Sequence, residues 1–439
     1  MKYLRFLLFL FLSISLQAQQ SQKYLIKAGK LFDSESGQFK TGLSILVNAN
    51  KIEAVKPDKE VSETEKKEYV LIDLSNYTVL PGLIDAHTHL LYKEVLHPGN
   101  EFAGMDLAKL LTMEGDSYRA IYGAARAKAY LEAGITSVQD LGNSGQFGDI
   151  ALRKAINEGL VPGPRMRCAG QGLSTEGGQL PGLIYKHRSL VNDEYRIVTG
   201  AEDAIQAVRE NVTQGADVIK IYANNTPNVT RLSVAEIKAI VQEAHRYGIR
   251  VTAHATDNRA VYDAVIGGGI EHGYQIDDTT LTLMAKRGVM LVPTYLDSVT
   301  CMQWGKLAYP DDKNFAANLM AYQKASGEQL QRAIKRGVTI AAGSDDYIDF
   351  KLPFAEPSKR ALISYYELGT TIPQVLQFAT INASKQLNWS DYIGRLKAGY
   401  LADIIAVDSD LDRNIQALLN TRFVMKSGKV YLGQAGLQK

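Results

Sequence analysis

Cysteine is almost absent from this chain: Cys168 and Cys301 are the only two among 439 residues. A pair so far apart forms neither a metal-ligand spacing nor a disulfide framework. An oxidising compartment permits a bridge between them but nothing in the spacing requires it. Cys168, inside an apolar strand-like stretch, reads as a small core residue. Excess charge is lacking too. The 49 basic and 47 acidic residues leave a formal net charge of +2, which points away from nucleic acid and from an acidic membrane surface as partners. No G-x-G-x-x-G follows a strand-like segment, so a doubly wound dinucleotide-binding sheet has no support. No cysteine near the N-terminus offers a lipid attachment point. Beyond the first residues no segment reads as transmembrane. Ser174 sits in no nucleophile-elbow motif, and Cys301 has no histidine partner in sequence.

What is present begins with a leader. Lys2 and Arg5 precede an apolar run from Phe6 to Leu16, followed by the polar stretch from Gln17. That is the pattern of a secretory signal peptide, assigned to residues 1–18. The run is too short to span a bilayer as a stable helix. The expectation is an exported protein, periplasmic or secreted, with no membrane anchor once the leader is removed. The remaining composition, 46% hydrophobic and 22% charged, is that of an ordinary folded chain.

Two regimes follow. From Tyr24 to Tyr77 short strands alternate with turns, and a similar β-rich stretch returns in ADIIAVD and RFVMKSGKVYL near the C-terminus. The two ends are expected to pair into one small domain, residues 19–78 and 393–439. Between them, over residues 79–392, short apolar runs alternate with longer helical patterns, the rhythm of βα units and a parallel sheet. The candidate strands are VLPGLIDAH, GITSVQDLG, PRMRCAG, ADVIKIYA, IRVTAHA, IEHGYQ, VMLVPTY and VTIAAGSD, enough to close an α/β (β/α)₈ barrel of the TIM type. Gly134, Gly248, Gly288 and Gly337 stand where they end the preceding helices.

In such a barrel, chemistry collects at the C-terminal ends of the strands. His87 and His89 end the first strand, and residues two apart on a strand share a side. Lys220 lies near the end of the fourth, His254 ends the fifth, His272 sits in the sixth, and Asp345 ends the eighth. Four of the seven histidines fall on strand ends; His97, His187 and His245 do not. Singly, each residue has an ordinary reading: a satisfied core histidine, a surface lysine, a capping aspartate. Jointly and in chain order they point to a metal site. Asp346 is expected to flank it without binding, and Arg188 and Arg231 to be solvated.

VLPGLIDAHTHL, GADVIKIYA, VTAHA, GIEHG and AAGSD, followed by ATINASKQL and IGRLKAGYLADIIAVD, resemble the amidohydrolase superfamily. The nearest likeness is to its imidazolonepropionase-like branch, which includes prolidase-like dipeptidases. The resemblance runs from about residue 24 to the C-terminus. It implies a barrel with a discontinuous β-sandwich, and His87, His89, Lys220, His254, His272 and Asp345 as metal ligands. Two divalent ions, zinc above all, would be shared between His87, His89 and Asp345 on one side and His254 and His272 on the other. Lys220, carboxylated to an anionic carbamate, would bridge them. The chemistry agrees: neutral imidazoles and carboxylates suit zinc, and a lysine neutralised by burial becomes able to take up carbon dioxide.

The implied reaction is hydrolysis of a C–N bond in a small substrate, a dipeptide among the candidates, by a metal-bound hydroxide, with Asp345 moving the proton. Tyr222 shares the side of Lys220 and stands either as a substrate hydrogen-bond donor or as a packing residue. Gln179 occupies a position where many relatives carry histidine; it still donates a hydrogen bond but does not titrate. Ring opening of a cyclic amide, which often needs one metal, is the alternative chemistry. A non-catalytic metal-binding barrel is the alternative from another class. A homo-oligomer is compatible with the sequence.

Overall fold

The computed structural model describes residues 22–98 and 106–433; the leader expected at residues 1–18 lies outside them. The fold is mixed α/β. The two chain ends do meet: Lys23–Asp33, Gln38–Thr41, Leu43–Asn48, Lys51–Pro57 and Val70–Pro81 join Ile404–Asp408, Thr421–Lys426 and Lys429–Leu432 in one eight-stranded sheet. The junction is Val70–Pro81, parallel to Lys23–Asp33 on one edge and antiparallel to Ile404–Asp408 on the other, with Ile404 opposite Pro81. Alternation along Lys23–Asp33 sends Tyr24, Ile26 and Ala28 into one core with Val79 and Ile404. Phe32, Leu80, Ile405 and Val407 join the large core that the helices share.

Between Gly82 and Val292 every regular strand pairs in parallel. Strands β1 (Leu83–Thr88), β2 (Ile135–Asp140) and β3 (Arg165–Cys168) form one set. Strands β4 (Val218–Tyr222), β5 (Arg250–Ala255), β6 (Gly269–His272) and β7 (Met290–Val292) form the next. Asp217 N–H donates to Cys168 O at 2.8 Å and carries the pairing from β3 to β4. β2, β4, β6 and β7 are buried at every residue, as strands covered on both faces must be. The short pieces Gly172–Ser174 and Tyr195–Ile197 attach beside β4.

The eighth expected strand is reduced to isolated bridges at Ile340 and Asp346. Its segment still joins β7 to β1: Ala341 N–H donates to Leu291 O at 3.0 Å, Ala86 N–H to Ala342 O at 2.9 Å, and Asp345 N–H to His87 O at 2.8 Å. The ladder is broken because Ala342 N–H turns instead to Phe378 O at 3.0 Å. Gly343 explains how close this segment runs to β1: a Cβ there would stand 2.8 Å from His87 Cβ and 2.4 Å from Val292 Cγ1.

The helices follow their sequence signals. The helices between the strands include α1 (Gly115–Glu132), α2 (Ala201–Gln214), α3 (Val234–Arg246), α4 (Asp278–Arg287) and α5 (Phe315–Lys335). In α3 the buried Ile237, Ile240, Val241 and Ala244 recur at helical spacing. Ser233 and Glu236 close its N-terminus with a reciprocal capping box. Gly134, Gly248, Gly288 and Gly337 all follow helix ends with positive φ. No described helix is long and apolar enough to cross a membrane.

Candidate metal centre and active site

The strand ends bring the six expected ligands together. His87, His272 and Asp345 offer ligand atoms all within 4.8 Å of one another. His87 Nε2 and His89 Nε2 lie 3.2 Å apart. Asp345 Oδ1 is 3.3 Å from the first and 3.2 Å from the second. Lys220 Nζ is 3.5 Å from His87 Nε2. The rings of His254 and His272 are 4.5 Å apart, and His272 is 5.1 Å from His87. Lys220, at 1% exposure, is no surface residue marking a strand's end.

The protonation pattern is written in the outer hydrogen bonds. His89 Nδ1 lies 2.8 Å from Gly142 O, a pure acceptor, so Nδ1 carries the proton and Nε2 presents a lone pair. His87 Nδ1 faces Glu271 Oε2 at 2.7 Å, which sets the same tautomer. Burial, reinforced by the Lys220 charge, holds His87 well below the usual histidine range, hence neutral. Two lone pairs and a carboxylate oxygen thus converge at about the edge length, roughly 3.3 Å, of a tetrahedron around an ion with ~2.0–2.1 Å bonds. Unprotonated donors crowded this way repel one another without a cation between them, so the residues fit a divalent metal.

His254 and His272 are also held well below the usual range, chiefly by burial. Their partners are neutral: Gln179 Nε2 donates to His254 Nε2 at 3.0 Å, and His272 Nδ1 lies 2.9 Å from Thr294 Oγ1. Burial lowers Lys220 to about 8, with the nearby Glu271 and Asp345 charges opposing the shift. Its amine therefore reaches the neutral form close to physiological pH. Burial pushes Asp345 up, but its contacts with His87, His89 and Lys220 outweigh it and leave the carboxyl below its ordinary value.

Backbone strain gathers at the same place. His272, Thr294 and Asp345 have φ of 70°, 53° and 54°, a region that costs a residue with a Cβ about 1–2 kcal/mol. The positive φ of His272 explains why Glu271 was not foreseen. Strict alternation would send neighbours to opposite sides, but the bend lets both serve the site. Glu271 holds His87 Nδ1 and accepts from Thr252 Oγ1. A fully buried acid in the middle of GIEH was the available signal.

A cavity of about 340 Å³ opens over these groups, lined in part by His89, Asn143, Gln179, Tyr222, His254 and Asp345. Tyr222 OH donates to Asn143 Oδ1 at 3.0 Å, and Asn143 Nδ2 donates to Tyr195 OH at 3.0 Å. Gly172 makes room for it, since a Cβ there would lie 2.5 Å from the Tyr222 ring. Asp346 flanks the site as expected, 3.0 Å from Arg126 and accepting from Tyr130 OH at 2.7 Å. Arg231 pairs with Asp257 at 2.8 Å, Ser174 donates to Asn225, and both cysteines are free and buried.

The amidohydrolase family profile matches residues 78–431. The chain belongs to the amidohydrolase family. It is a hydrolase, 28% identical over 400 residues to an ochratoxinase of Aspergillus niger, covering 84% of this chain and 79% of that one. It is 26% identical over 369 residues to an imidazolonepropionase of Caldanaerobacter subterraneus, covering 77% of this chain and 78% of the relative. A crystal structure of a Xaa-Pro dipeptidase with bound methionine superposes with a TM-score of 0.78 at 28% identity, covering 94% of this chain and 100% of the other.

Proposed function

We propose that this amidohydrolase is an exported enzyme that cleaves the amide or peptide bond of a small substrate, with dipeptides and N-acyl amino acids as the first class to examine. The observation that carries this reading is the meeting of two fixed imidazole lone pairs, the Asp345 carboxylate and the buried Lys220 amine at one set of strand ends. His87, His89 and Asp345 would hold one divalent ion and His254 and His272 a second, zinc in both, with Lys220 carboxylated between them. Ions bound there polarise a carbonyl and make an attacking water acidic.

The protein's own part is positional. Asp345, whose side chain keeps 20% exposure and borders the cavity, takes a proton from the attacking water at a carboxylate oxygen and returns it to the leaving nitrogen. Gln179 borders the same cavity with a neutral amide for a substrate carbonyl or carboxylate, and Tyr222 would join it by turning its hydroxyl away from Asn143. The architecture behind this reading is a (β/α)₈ barrel over residues 79–392, supported by the hydrogen bonds that run from β1 round to β7 and back through Asp345. The smaller domain proposed for residues 19–78 and 393–439 is built on the eight-stranded sheet, and residues 1–18 would be the leader that exports the chain.

The test is a library of dipeptides and N-acyl amino acids offered to zinc-loaded protein grown with bicarbonate. Free amino acid release from one subset supports the reading; inertness of fully metallated protein towards the whole library removes it. A second reading, ring opening of a cyclic amide with one ion, is favoured by the compactness of His87, His272 and Asp345 as a single three-donor cluster. Elemental analysis separates the two, at two metal equivalents per chain against one.

A further inference from the structure

A second cavity, of about 440 Å³, adjoins the first and shares Tyr274, Asp345 and Tyr347 with it. Its wall comes from the helix Ser298–Ala308, from α5, and from the segment that follows Asp345. Trp304, Tyr309, Phe315, Tyr322 and Phe350 line it. Their rings meet at close range: Tyr309 and Phe315 at 5.9 Å and nearly parallel, Trp304 and Phe350 at 6.2 Å. Among the described residues no lysine, arginine or histidine borders it. Of its two carboxylates, Asp346 is engaged by Arg126 and Tyr130, and Asp345 faces the ligand histidines.

The volume lies within the roughly 300–1,000 Å³ that holds small organic ligands. An aromatic wall without a cation stabilises neutral apolar groups and offers a carboxylate nothing. The neighbouring cavity has the opposite character, with Asn143, Gln179, Tyr222 and Thr256 along its wall. Tyr347 marks the boundary, stacked on Tyr92 at 5.0 Å and edge-on to His89 at 5.7 Å.

The geometry points to an asymmetric substrate: an amide carrying a large neutral aromatic group on one side of the scissile bond, seated in the aromatic cavity, and a compact polar group on the other. The bond itself lies at Asp345, where the cavities join. This rests on the amide-cleaving reading above and adds which amides are cleaved.

Trp304 supplies a reporter that needs no turnover. The chain has two tryptophans, and a Trp389→Phe background leaves Trp304 as the sole indole emitter. Zinc-loaded protein is titrated with 4-phenylbutan-2-one, a neutral aromatic ketone that cannot be hydrolysed, and with butan-2-one. The expected result is a saturable change in Trp304 emission, with the aromatic ketone binding at least ten-fold more tightly. Cys301→Phe, which fills the cavity, weakens that binding about ten-fold, and Cys301→Met, the gentler change if the larger one unfolds, weakens it by less. Equal affinity for the two ketones, or unchanged affinity in a filled variant that keeps its thermal midpoint, overturns the proposal. N-acyl amino acids with an aromatic acyl group should also exceed those whose equally long acyl group ends in a carboxylate ten-fold in kcat/KM. Cleavage of amides with no ketone preference leaves the hydrolase reading standing and sinks this one. Ketone preference with no cleavage anywhere in the panel does the reverse.

Discussion

The two pairs of candidate metal-binding histidines are held differently. His87 and His89 have their outer nitrogens bound by groups that accept, the Glu271 carboxylate and the Gly142 carbonyl. Their inner nitrogens therefore face the centre as lone pairs. His254 and His272 contact an amide and a hydroxyl, Gln179 and Thr294, neither of which imposes a charge. The first pair is preset for a cation, whereas the second depends on what arrives with it. Lys220 Nζ lies beside His87 of the first pair, and its proposed carbamate would link the two.

The strongest way to break this contrast is Lys220→Ala. It should abolish most activity and leave one metal equivalent at the first pair; two equivalents retained, by elemental analysis, would sink the bridging role. Asp345→Asn should lower kcat by about 10²–10⁴-fold, the usual scale for a positioned proton carrier, and should also weaken zinc binding in a competitive chelator titration. Glu271→Gln keeps the shape but removes the charge behind His87. A loss of about 10–100-fold in affinity for the more tightly bound zinc is expected, with the weaker site little changed; the opposite pattern would invert the assignment of the pairs. Gln179→Ala removes one neutral hydrogen bond and should cost about ten-fold or less in kcat/KM.

A second buried lysine serves as the control for Lys220. Lys359, 3% exposed, donates to Thr421 Oγ1 at 2.6 Å and is lowered by burial to about 7, with Glu356 opposing the shift. Its folded pKa lies below its unfolded one, near 10.5. Between those values the unfolded chain binds more protons, so this group's contribution to stability improves as pH rises from 7 to 10.5. The penalty is complete below 7. Lys359→Met should therefore raise the thermal midpoint by about 2–4 °C at pH 6, and the gain should fade towards pH 10.5. An equal gain at both pH values would show that packing, not charge, sets the difference.

Much of this was legible in the sequence, for physical reasons. His87 and His89 were readable because period-two alternation holds along β1, and the α2 and α3 boundaries because capping and glycine stops are local. Glu271 was hidden because that alternation fails where His272 turns to positive φ. The eighth strand was overread: VTIAAGSD is apolar enough, but Ala342 spends its N–H on Phe378. The aromatic cavity was invisible because Trp304, Phe315 and Phe350 come from three separate elements, and no local pattern ties them together.

The sheet made from both ends of the chain has a consequence for synthesis. Lys23–Asp33 and Val70–Pro81 leave the ribosome early and pair with each other. The other edge of Val70–Pro81 belongs to Ile404–Asp408, more than three hundred residues later. Until that strand is made, a row of main-chain donors and acceptors stands open on a twelve-residue strand. The nascent protein carries an unfinished edge through almost the whole of its translation, and loss of the last three strands would leave that edge open for good.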